Sequence, residues 1–264
     1  MAAKRMDLNK RTLLVLSGSS NLLGQALAQQ LSSRLATGSV VLLLDEQETQ
    51  LKALAQLLGN GLQVLTGLLD AQHSNGVQLL DNCLQQCAGR EFQRAILVHN
   101  EGEAATQLLM EPQTPAEWTN YVQQQLYAPV ALNQCWLQAK ALQGVEKLVI
   151  NVTSSLQVRP LIFNTLLCSC KRARDMYFRA MAAEELRHNV HVLSYAPGLL
   201  KTHQALCDLN GNTVDPFELL SLSPEQQALP RVQPLQTILK LISILEEKSF
   251  VSGHDVDYYD TFVL

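Results

Sequence analysis

A glycine-containing turn near the amino terminus has the residue types needed to hold a phosphate. Within residues 17–24, Gly18 would allow a tight turn, Ser20 offers a hydroxyl donor, and Gly24 would let a helix pack closely on the preceding strand. The turn follows an apolar run and precedes a helical pattern, where the free amides of a helix amino terminus bind pyrophosphate. The segment predicts a dinucleotide-binding turn; an ordinary strand-to-helix turn is the alternative.

Two acidic residues, Asp45 and Glu46, follow the second apolar run. A carboxylate at this place accepts hydrogen bonds from a ribose diol but repels a 2′-phosphate, whose binding usually needs an arginine. These residues therefore favour NAD, or no dinucleotide, over NADP. An equally good interpretation of Asp45 is a helix N-cap, with Glu48 at capping-box distance.

The elements that would position these residues alternate along the chain. Continuous runs of Val, Leu and Ile are typical of strands covered on both faces, and hence of a parallel sheet. Such runs occupy residues 12–17, 40–44, 62–65, 94–98, 147–152 and 190–195, and helical patterns occupy 23–35, 46–58, 75–87, 115–142, 166–188 and 235–247. Because crossovers between parallel strands are right-handed, we predict a single Rossmann-type α/β domain over residues 1–264, with a doubly wound parallel sheet.

The segment 207–233 is the irregular part of the chain. Gly211, Pro216, Pro224 and Pro230 interrupt an otherwise helical composition there. A late insertion in a doubly wound fold often covers the ligand crevice, so we expect a variable, lid-like segment.

Composition narrows the classes of partner. The chain has 264 residues, 47% of them hydrophobic, and a formal net charge of −4, which gives no electrostatic reason to expect nucleic acid or an anionic membrane. The first apolar run is too short for a signal peptide or a membrane span. The six cysteines are scattered and show no metal-ligand spacing. We therefore expect a cytoplasmic protein with reduced thiols that binds small molecules or other proteins.

The glycine turn resembles that of the short-chain dehydrogenase/reductases, which carry Thr-Gly-x-x-x-Gly-x-Gly at this point. The chain matches at Gly18 and Gly24, whereas Leu22 replaces the middle glycine and would crowd the approach of a pyrophosphate. Within this family the resemblance is to the sepiapterin reductases, from about residue 12 to residue 260. These use NADPH and have basic residues where this chain has Asn21 and Glu46. The resemblance thus implies NADP, while Asp45 and Glu46 favour NAD or none.

Further matches follow the later strands. By resemblance, Asp70 stands where the family's acidic residue contacts adenine, and 99–102 stand where the family shows Asn-Asn-Ala-Gly. Asn100 and Gly102 match that motif, and Glu101 would bring a negative charge close to the adenosine. The nicotinamide-side loop of the family is matched by Pro197, Gly198 and Thr202.

The segment 151–176 resembles that of the sepiapterin reductases without a gap. Carbonyl reduction needs a proton donor, a group that lowers the donor's pKa and a second hydrogen bond to the oxygen; the family supplies these from Tyr, Lys and Ser. The resemblance places Ser154 at the catalytic, substrate-contacting serine and Lys171 at the catalytic, cofactor-contacting lysine. Leu167 occupies the tyrosine position and Gln125 that of a supporting asparagine. The alternative for Ser154 is a turn residue at the end of a strand, and the alternative for Lys171 is a solvated charge on a helix.

The resemblance predicts a reductase, whereas Leu167 predicts poor catalysis, because leucine cannot donate a proton. The first interpretation is a nicotinamide-dependent reductase of a pterin side-chain carbonyl, as in tetrahydrobiopterin synthesis, with weak or lost activity. The second is an inactive relative that binds a pterin, a dinucleotide or a protein partner. We do not expect Cys168, Ser169 or Cys170 to replace the acid, because they lie at other angles around the helix.

The carboxyl-terminal stretch 250–260 is also similar to that of the sepiapterin reductases. An aspartate there binds the guanidine-like edge of the pterin, whose two parallel N–H donors suit one carboxylate, and it corresponds to Asp257. The alternative for Asp257 is a surface acid after the final strand.

A homodimer is expected from the helix at 166–188. Five of its residues recur at 4-3-4-3 spacing, which is the pattern of a helix stripe, and family dimers pack this helix and the one at 115–142 into a shared interface. The five are Leu166, Cys170, Ala173, Tyr177 and Ala180. One half of a heterodimer is the alternative.

Overall fold

A parallel sheet forms the centre of the structure, a computed structural model that describes residues 6–59, 61–102, 114–154, 165–185, 188–201, 206–207, 213–214 and 230–260. In chain order the strands of the described structure are β1 (Thr12–Ser17), β2 (Val40–Asp45), β3 (Gln63–Leu68), β4 (Arg94–His99), β5 (Glu146–Val152), β6 (Val190–Ala196), the short β7 (Leu206–Cys207) and β8 (Thr213–Val214), and β9 (Asp255–Asp257). Strands β7 and β8 pair only with each other. The other seven run parallel in the order β3-β2-β1-β4-β5-β6-β9. The strand order reverses between β1 and β4, where doubly wound sheets bind ligands.

Helices cover both faces of this sheet. They are α1 (Leu22–Ser32), α2 (Glu48–Leu57), α3 (Gly76–Gln86), α4 (Pro115–Val122), α5 (Ala128–Gln138), α6 (Thr165–Glu184) and α7 (Pro234–Glu247). Alternate strand residues feed two cores: Leu14 and Leu16 pack with α1, α2 and α7, while Leu13 and Val15 pack with α3, α5 and α6. The predicted doubly wound α/β fold is confirmed.

The predicted helix at 115–142 is broken in the structure. Between α4 and α5 the chain forms a π-helical turn, Gln123–Tyr127, and after α5 a 3-10 turn, Lys140–Leu142. Pro129 is the reason for the first break, because a proline has no N–H to donate to the carbonyl four residues earlier. That carbonyl belongs to Gln125, which is thereby released for another partner. Single π turns of this kind are frequent at functional sites.

The six predicted strands lie where expected, with ends that differ by up to three residues. The largest difference is β3, whose pairing with β2 continues from Gln63 opposite Val40 to Leu68 opposite Asp45, beyond the apolar run. Most of the predicted lid-like segment 207–233 lies outside the described residues. No helix of the described part is long and apolar enough to cross a membrane.

Candidate active site

The glycine turn between β1 and α1 is held together by contacts that leave no room for side chains. Gly18 has φ +68°, and a Cβ there would lie 2.7 Å from the carbonyl oxygen of Asn100. A Cβ at Gly24 would overlap the carbonyl of Gly18. The Asn21 side chain caps α1 by accepting the Gly24 N–H at 2.8 Å. Both family glycines in the turn are thus required by close backbone approach.

Asn100 ties this turn to the end of β4. Its side-chain amide donates to the Gly18 carbonyl at 2.7 Å and to Asn21 Oδ1 at 3.2 Å, and its backbone N–H donates to the Ser17 carbonyl at 3.1 Å. Asn100, which matches the family motif, therefore fixes the shape of the glycine turn.

The turn fits a dinucleotide pyrophosphate. The Ser20 hydroxyl is buried at the amino terminus of α1 and has no hydrogen-bond partner within the described residues, and a helix amino terminus attracts anions. Leu22, at the place of the missing glycine, is 57% exposed. Its side chain therefore extends into solvent and does not fill the turn itself.

Asp45 binds backbone amides of two turns. Its Oδ2 accepts the Ser20 N–H at 2.8 Å, and its Oδ1 accepts the N–H groups of Glu46 at 2.9 Å and Gln47 at 3.3 Å. The capping-box interpretation of Asp45 is wrong, because α2 begins at Glu48 and its N-cap is Gln47. Glu46 is the carboxylate that faces solvent, and its Oε1 lies 2.7 Å from His73 Nε2.

Asp70 shapes the turn between β3 and α3. Its carboxylate accepts the N–H of Ser74 at 2.7 Å, the hydroxyl of Ser74 at 2.5 Å and the N–H of Gln72 at 3.1 Å. The hydrogen bond from the Ser74 hydroxyl and the backbone N–H donors hold the pKa of Asp70 below its ordinary value. Asp70 is thus a rigid, ionised group at the carboxyl end of β3.

A buried ion pair lies beneath the carboxyl ends of β1, β4 and β5. Glu101 Oε2 is 3.3 Å from Arg174 Nη2, Glu101 Oε1 accepts the Ser17 hydroxyl and lies 3.8 Å from His99 Nδ1, and both charged side chains are almost fully buried. Burial raises the pKa of Glu101, but the polar contacts with His99, Arg174 and Ser17 outweigh it and hold that pKa below its ordinary value. The expectation that Glu101 brings charge to the adenosine is wrong, since its carboxylate turns inward and is neutralised.

Arg174 joins three further elements. Its Nη2 donates to Asn151 Oδ1 at 3.0 Å, and its Nη1 lies 3.4 Å from the carbonyl oxygens of Glu101 and Gln125. This Gln125 carbonyl receives no α-helical hydrogen bond from Pro129, which has no N–H. The broken helix therefore supplies an acceptor to the buried guanidinium.

A row of polar residues crosses four strands at this level. Ser17, His99, Asn151 and Ser194 are register neighbours on β1, β4, β5 and β6, and all four are buried. The Asn151 amide donates to the Ser194 hydroxyl at 3.2 Å. Since buried polar groups are costly unless paired, this row and the Glu101–Arg174 pair depend on each other.

Lys171 is locked into the ends of two strands. Its Nζ donates to the carbonyl of Glu101 at 2.7 Å and to the carbonyl of Val152 at 2.8 Å. Burial, and next the charge of Arg174, lower the pKa of Lys171 to about 7. The interpretation of Lys171 as a solvated helix charge is wrong. Gly102 covers it so closely that a Cβ there would lie 2.7 Å from Nζ.

Leu167 lies one turn before Lys171 on α6 and is buried. Its Cδ1 would lie 3.9 Å from a Cβ at Gly102, so it occupies the space beside the lysine. Burial raises the pKa of the Cys170 thiol, which makes that residue a poor acid.

Gln125 is buried in the π turn, and its Oε1 has no hydrogen-bond partner within the described residues. Ser154 lies two residues beyond β5 and is half-buried.

Asp257 is the last residue of β9, opposite Ala196 of β6. Its Oδ1 accepts the Tyr259 N–H at 2.9 Å, and the residue is half-buried. The loop after β6 packs against the same stretch: Gly198 has φ +79°, and a Cβ there would lie 3.1 Å from Cβ of Tyr258. The Pro197–Gly198 loop and the Asp257 strand thus form one structural unit. Thr202 lies outside the described residues.

Residues 12–206 match the family model described as short chain dehydrogenase. The chain belongs to the short-chain dehydrogenase family. It is 31% identical over 268 residues to the sepiapterin reductase of Xenopus laevis, covering 98% of this chain and 100% of that protein. It is 34% identical over 257 residues to the sepiapterin reductase of Rattus norvegicus, covering 93% and 95%. The chain is thus a sepiapterin reductase-like oxidoreductase by family.

A solved structure shows the same fold. The L-sorbose reductase of Gluconobacter frateurii, determined in complex with NADPH and L-sorbose, superimposes with a TM-score of 0.75 at 21% identity and covers 96% of this chain and 97% of that one. Family membership supports a nicotinamide dinucleotide as the cofactor. Short-chain dehydrogenases generally act as oligomers on small molecules.

The structure groups the sequence-predicted site residues in three sets. The glycine turn brings Gly18, Ser20, Asn21 and Gly24 together with Asn100; Gly102 contacts Lys171; and Gly198 packs against Tyr258, the residue after Asp257. Sequence reasoning missed Arg174, although its spacing gave a signal. Arg174 follows Leu167 by seven residues and Lys171 by three, which places it on the same buried helix face.

Three or more clustered His, Cys, Asp or Glu residues able to hold a metal ion do not occur in the described part of this short-chain dehydrogenase. Among its buried charges, Glu101 pairs with Arg174, and Lys171 donates to backbone carbonyls.

Substituting Glu101→Gln should destabilise the fold by about 3–5 kcal/mol, because the buried charge of Arg174 loses its counter-ion. Urea unfolding at pH 7 measures this. The exposed Glu46→Gln change is the control, and it should cost no more than about 1 kcal/mol.

The difference between wild type and Glu101→Gln should also depend on pH. Because the pKa of Glu101 is lower in the folded state than in the unfolded chain, where it is about 4.3, its stabilisation is present above that pH and is lost as the pH falls below it. A Glu101→Gln protein as stable as wild type at pH 7 would refute the role of this ion pair.

Proposed function

We propose that this chain binds a nicotinamide dinucleotide and a pterin-like carbonyl compound, and that it reduces the carbonyl weakly or not at all. The observation that carries the proposal is the contrast between a retained cradle and a lost acid. The Gly18–Asn100 contact and the buried Lys171 support the cradle, whereas Leu167, which is buried, stands by resemblance at the position of the family's proton donor.

Each part of the site has a distinct task in this proposal. Ser20 and the amino terminus of α1 bind the pyrophosphate, and the Pro197–Gly198 loop lies against the nicotinamide. When bound, the cofactor supplies a hydride to the carbonyl carbon. Ser154 donates a hydrogen bond to the carbonyl oxygen, and Asp257 accepts two parallel N–H bonds from the guanidine-like edge of a pterin.

The oxygen of the reduced carbonyl needs a proton, and Leu167, at the position of the family's proton donor, has none to give. Lys171, one turn along α6, has a pKa lowered to about 7 and is therefore only partly protonated at neutral pH. Two of its N–H groups already donate to the carbonyls of Glu101 and Val152. A positioned general acid contributes about 10²–10⁴-fold in rate, so turnover should be slower by about that factor than with a tyrosine.

A second candidate function is binding without turnover, in which the chain acts through its ligand or a protein partner. The burial of Leu167 favours it, because an apolar side chain packs beside the lysine where the family has its proton donor. A turnover assay with NADH and NADPH, run separately, decides between slow reduction and none.

Leu167→Tyr should raise carbonyl reduction by about 10²-fold or more, because it returns a phenol one helical turn before Lys171, whose ammonium lowers a phenol's pKa. The measurement is oxidation of NADH or NADPH, in excess, with sepiapterin as substrate. Leu167→Phe is the matched control, since it adds the ring without the hydroxyl, and it should stay at the wild-type rate. A tyrosine variant that binds both ligands yet shows no gain would contradict the proton-donor account.

NADP should bind more weakly than NAD. The carboxylate of Asp45 accepts hydrogen bonds from backbone N–H groups. The exposed Glu46 is therefore the residue that we expect to repel a 2′-phosphate. Like charges a few ångströms apart in water disfavour each other by about 1 kcal/mol, or about fivefold in affinity. Calorimetry with both dinucleotides tests this, and Glu46→Gln should narrow the gap. Tighter binding of NADP by wild type would overturn the assignment.

The chain should form a homodimer through α6, but not through the stripe expected from spacing. Leu166 and Cys170 of that stripe are buried inside the chain. The solvent-exposed side of α6 instead carries small or apolar residues at helical spacing, namely Ala173, Met176, Ala180 and Ala183.

Sedimentation measures the oligomeric state. Met176→Glu should yield monomers because it puts a charge on this apolar side, while Leu57→Glu, at an equally exposed leucine of α2, should leave the dimer intact. Wild type that sediments only as a monomer counts against the interface.

A further inference from the structure

An arginine on α6 bridges two carboxylates that lie on different elements. Arg179 Nε is 3.0 Å from both carboxylate oxygens of Asp175, one turn earlier on α6, and Arg179 Nη2 is 2.5 Å from Asp255 Oδ2 on β9. The Asp175 side chain is fully buried, and that of Asp255 is 25% exposed. The planar guanidinium suits such a bridge, because its N–H groups point in fixed directions.

The bridge keeps two like charges close together. Burial, and next the neighbouring Asp175, raise the pKa of Asp255. Without Arg179 the carboxylates of Asp175 and Asp255 would repel each other across the gap between α6 and β9. Arg172 also contacts Asp175, at 3.3 Å, but its side chain is 55% exposed. Arg179 is therefore the cation that joins helix and strand.

Strand β9 needs such a bridge because it is short. It pairs with β6 through three residues only. Just before it, Gly253 donates its N–H to the Val192 carbonyl at 2.9 Å and passes so close to α6 that a Cβ would lie 2.7 Å from Cβ of Ala182. The strand thus approaches α6 at this glycine and at Arg179.

Asp257 lies two residues beyond Asp255 on the same strand. Side chains two apart share one face of a strand, so Asp257 lies on the side of the sheet that α6 covers. Helix α6 also carries Leu167 and Lys171. The Arg179 bridge consequently fixes where Asp257 stands relative to the reacting end of α6.

We propose that Arg179 is a positioning residue, which holds β9 on α6 through Asp175 and Asp255 and so places Asp257 to bind the ligand. This rests on the proposed function, in which Asp257 binds the guanidine-like edge of a pterin. The bridge acts through Asp257 and does not itself contact the ligand.

The experiment compares Arg179→Gln with Arg172→Gln, a matched control that removes the other arginine on Asp175 and leaves β9 untouched. Sepiapterin affinity of the full chain is measured by fluorescence titration with NADH present. Arg179→Gln should weaken binding about tenfold, since small misplacements of binding groups are costly, whereas Arg172→Gln should stay within about twofold of wild type. Arg179→Lys should recover only part of the affinity, because an ammonium lacks the planar set of N–H donors with which a guanidinium binds two carboxylates.

Hydrogen exchange of the unliganded protein supplies a readout that needs no ligand. The backbone amides of Val256 and Tyr258 should exchange faster in Arg179→Gln and at the wild-type rate in Arg172→Gln. Wild type that binds no sepiapterin would refute the proposed function, and exchange would still decide whether Arg179 holds β9. Unchanged exchange in Arg179→Gln, or faster exchange with unchanged affinity, would overturn the positioning role.

Discussion

The arrangement of the site depends on one buried guanidinium. Arg174 lies in the interior with a carboxylate, an amide oxygen and two backbone carbonyls around it, and these groups come from the end of β4, from β5 and from the π turn. A buried charge is tolerated only when it is paired and hydrogen-bonded. Each of these elements must therefore be in place at once, and Lys171, which shares the Glu101 carbonyl with Arg174, is placed with them.

This constraint explains how the site can keep its shape in the proposed function, in which Leu167 replaces the acid. The lysine and the ends of β4 and β5 are held by the internal network, not by the residue at position 167. Leu167 makes no hydrogen bond in this network, which is held by Arg174, Glu101 and Lys171. In the proposed function, dinucleotide binding depends on the Gly18–Asn100 turn, whereas proton transfer depends on one side chain of α6.

The fold could be predicted from the sequence because continuous apolar runs specify buried parallel strands regardless of detail. Gly18 and Gly24 could also be predicted, because the close backbone approach in such a turn requires residues without a side chain. Glu101 could not, because its position after β4 does not reveal that Arg174, 73 residues later, would draw it inward. The break between α4 and α5 had a visible signal in Pro129, but its consequence, a carbonyl released to Arg174, depends on tertiary packing. The Arg179 bridge depends on a strand 76 residues away, which local periodicity does not encode.

We propose that the dinucleotide cradle survives in this chain and that the proton donor is lost. A crystal structure of the chain soaked with NADH and sepiapterin tests it most directly. We expect a pyrophosphate over the Gly18–Gly24 turn within hydrogen-bonding distance of Ser20, a pterin edge on Asp257, and the side chain of Leu167 facing a carbonyl oxygen that has no acid beside it. An empty turn at saturating NADH, or a side chain other than residue 167 donating a proton to that oxygen, would contradict it.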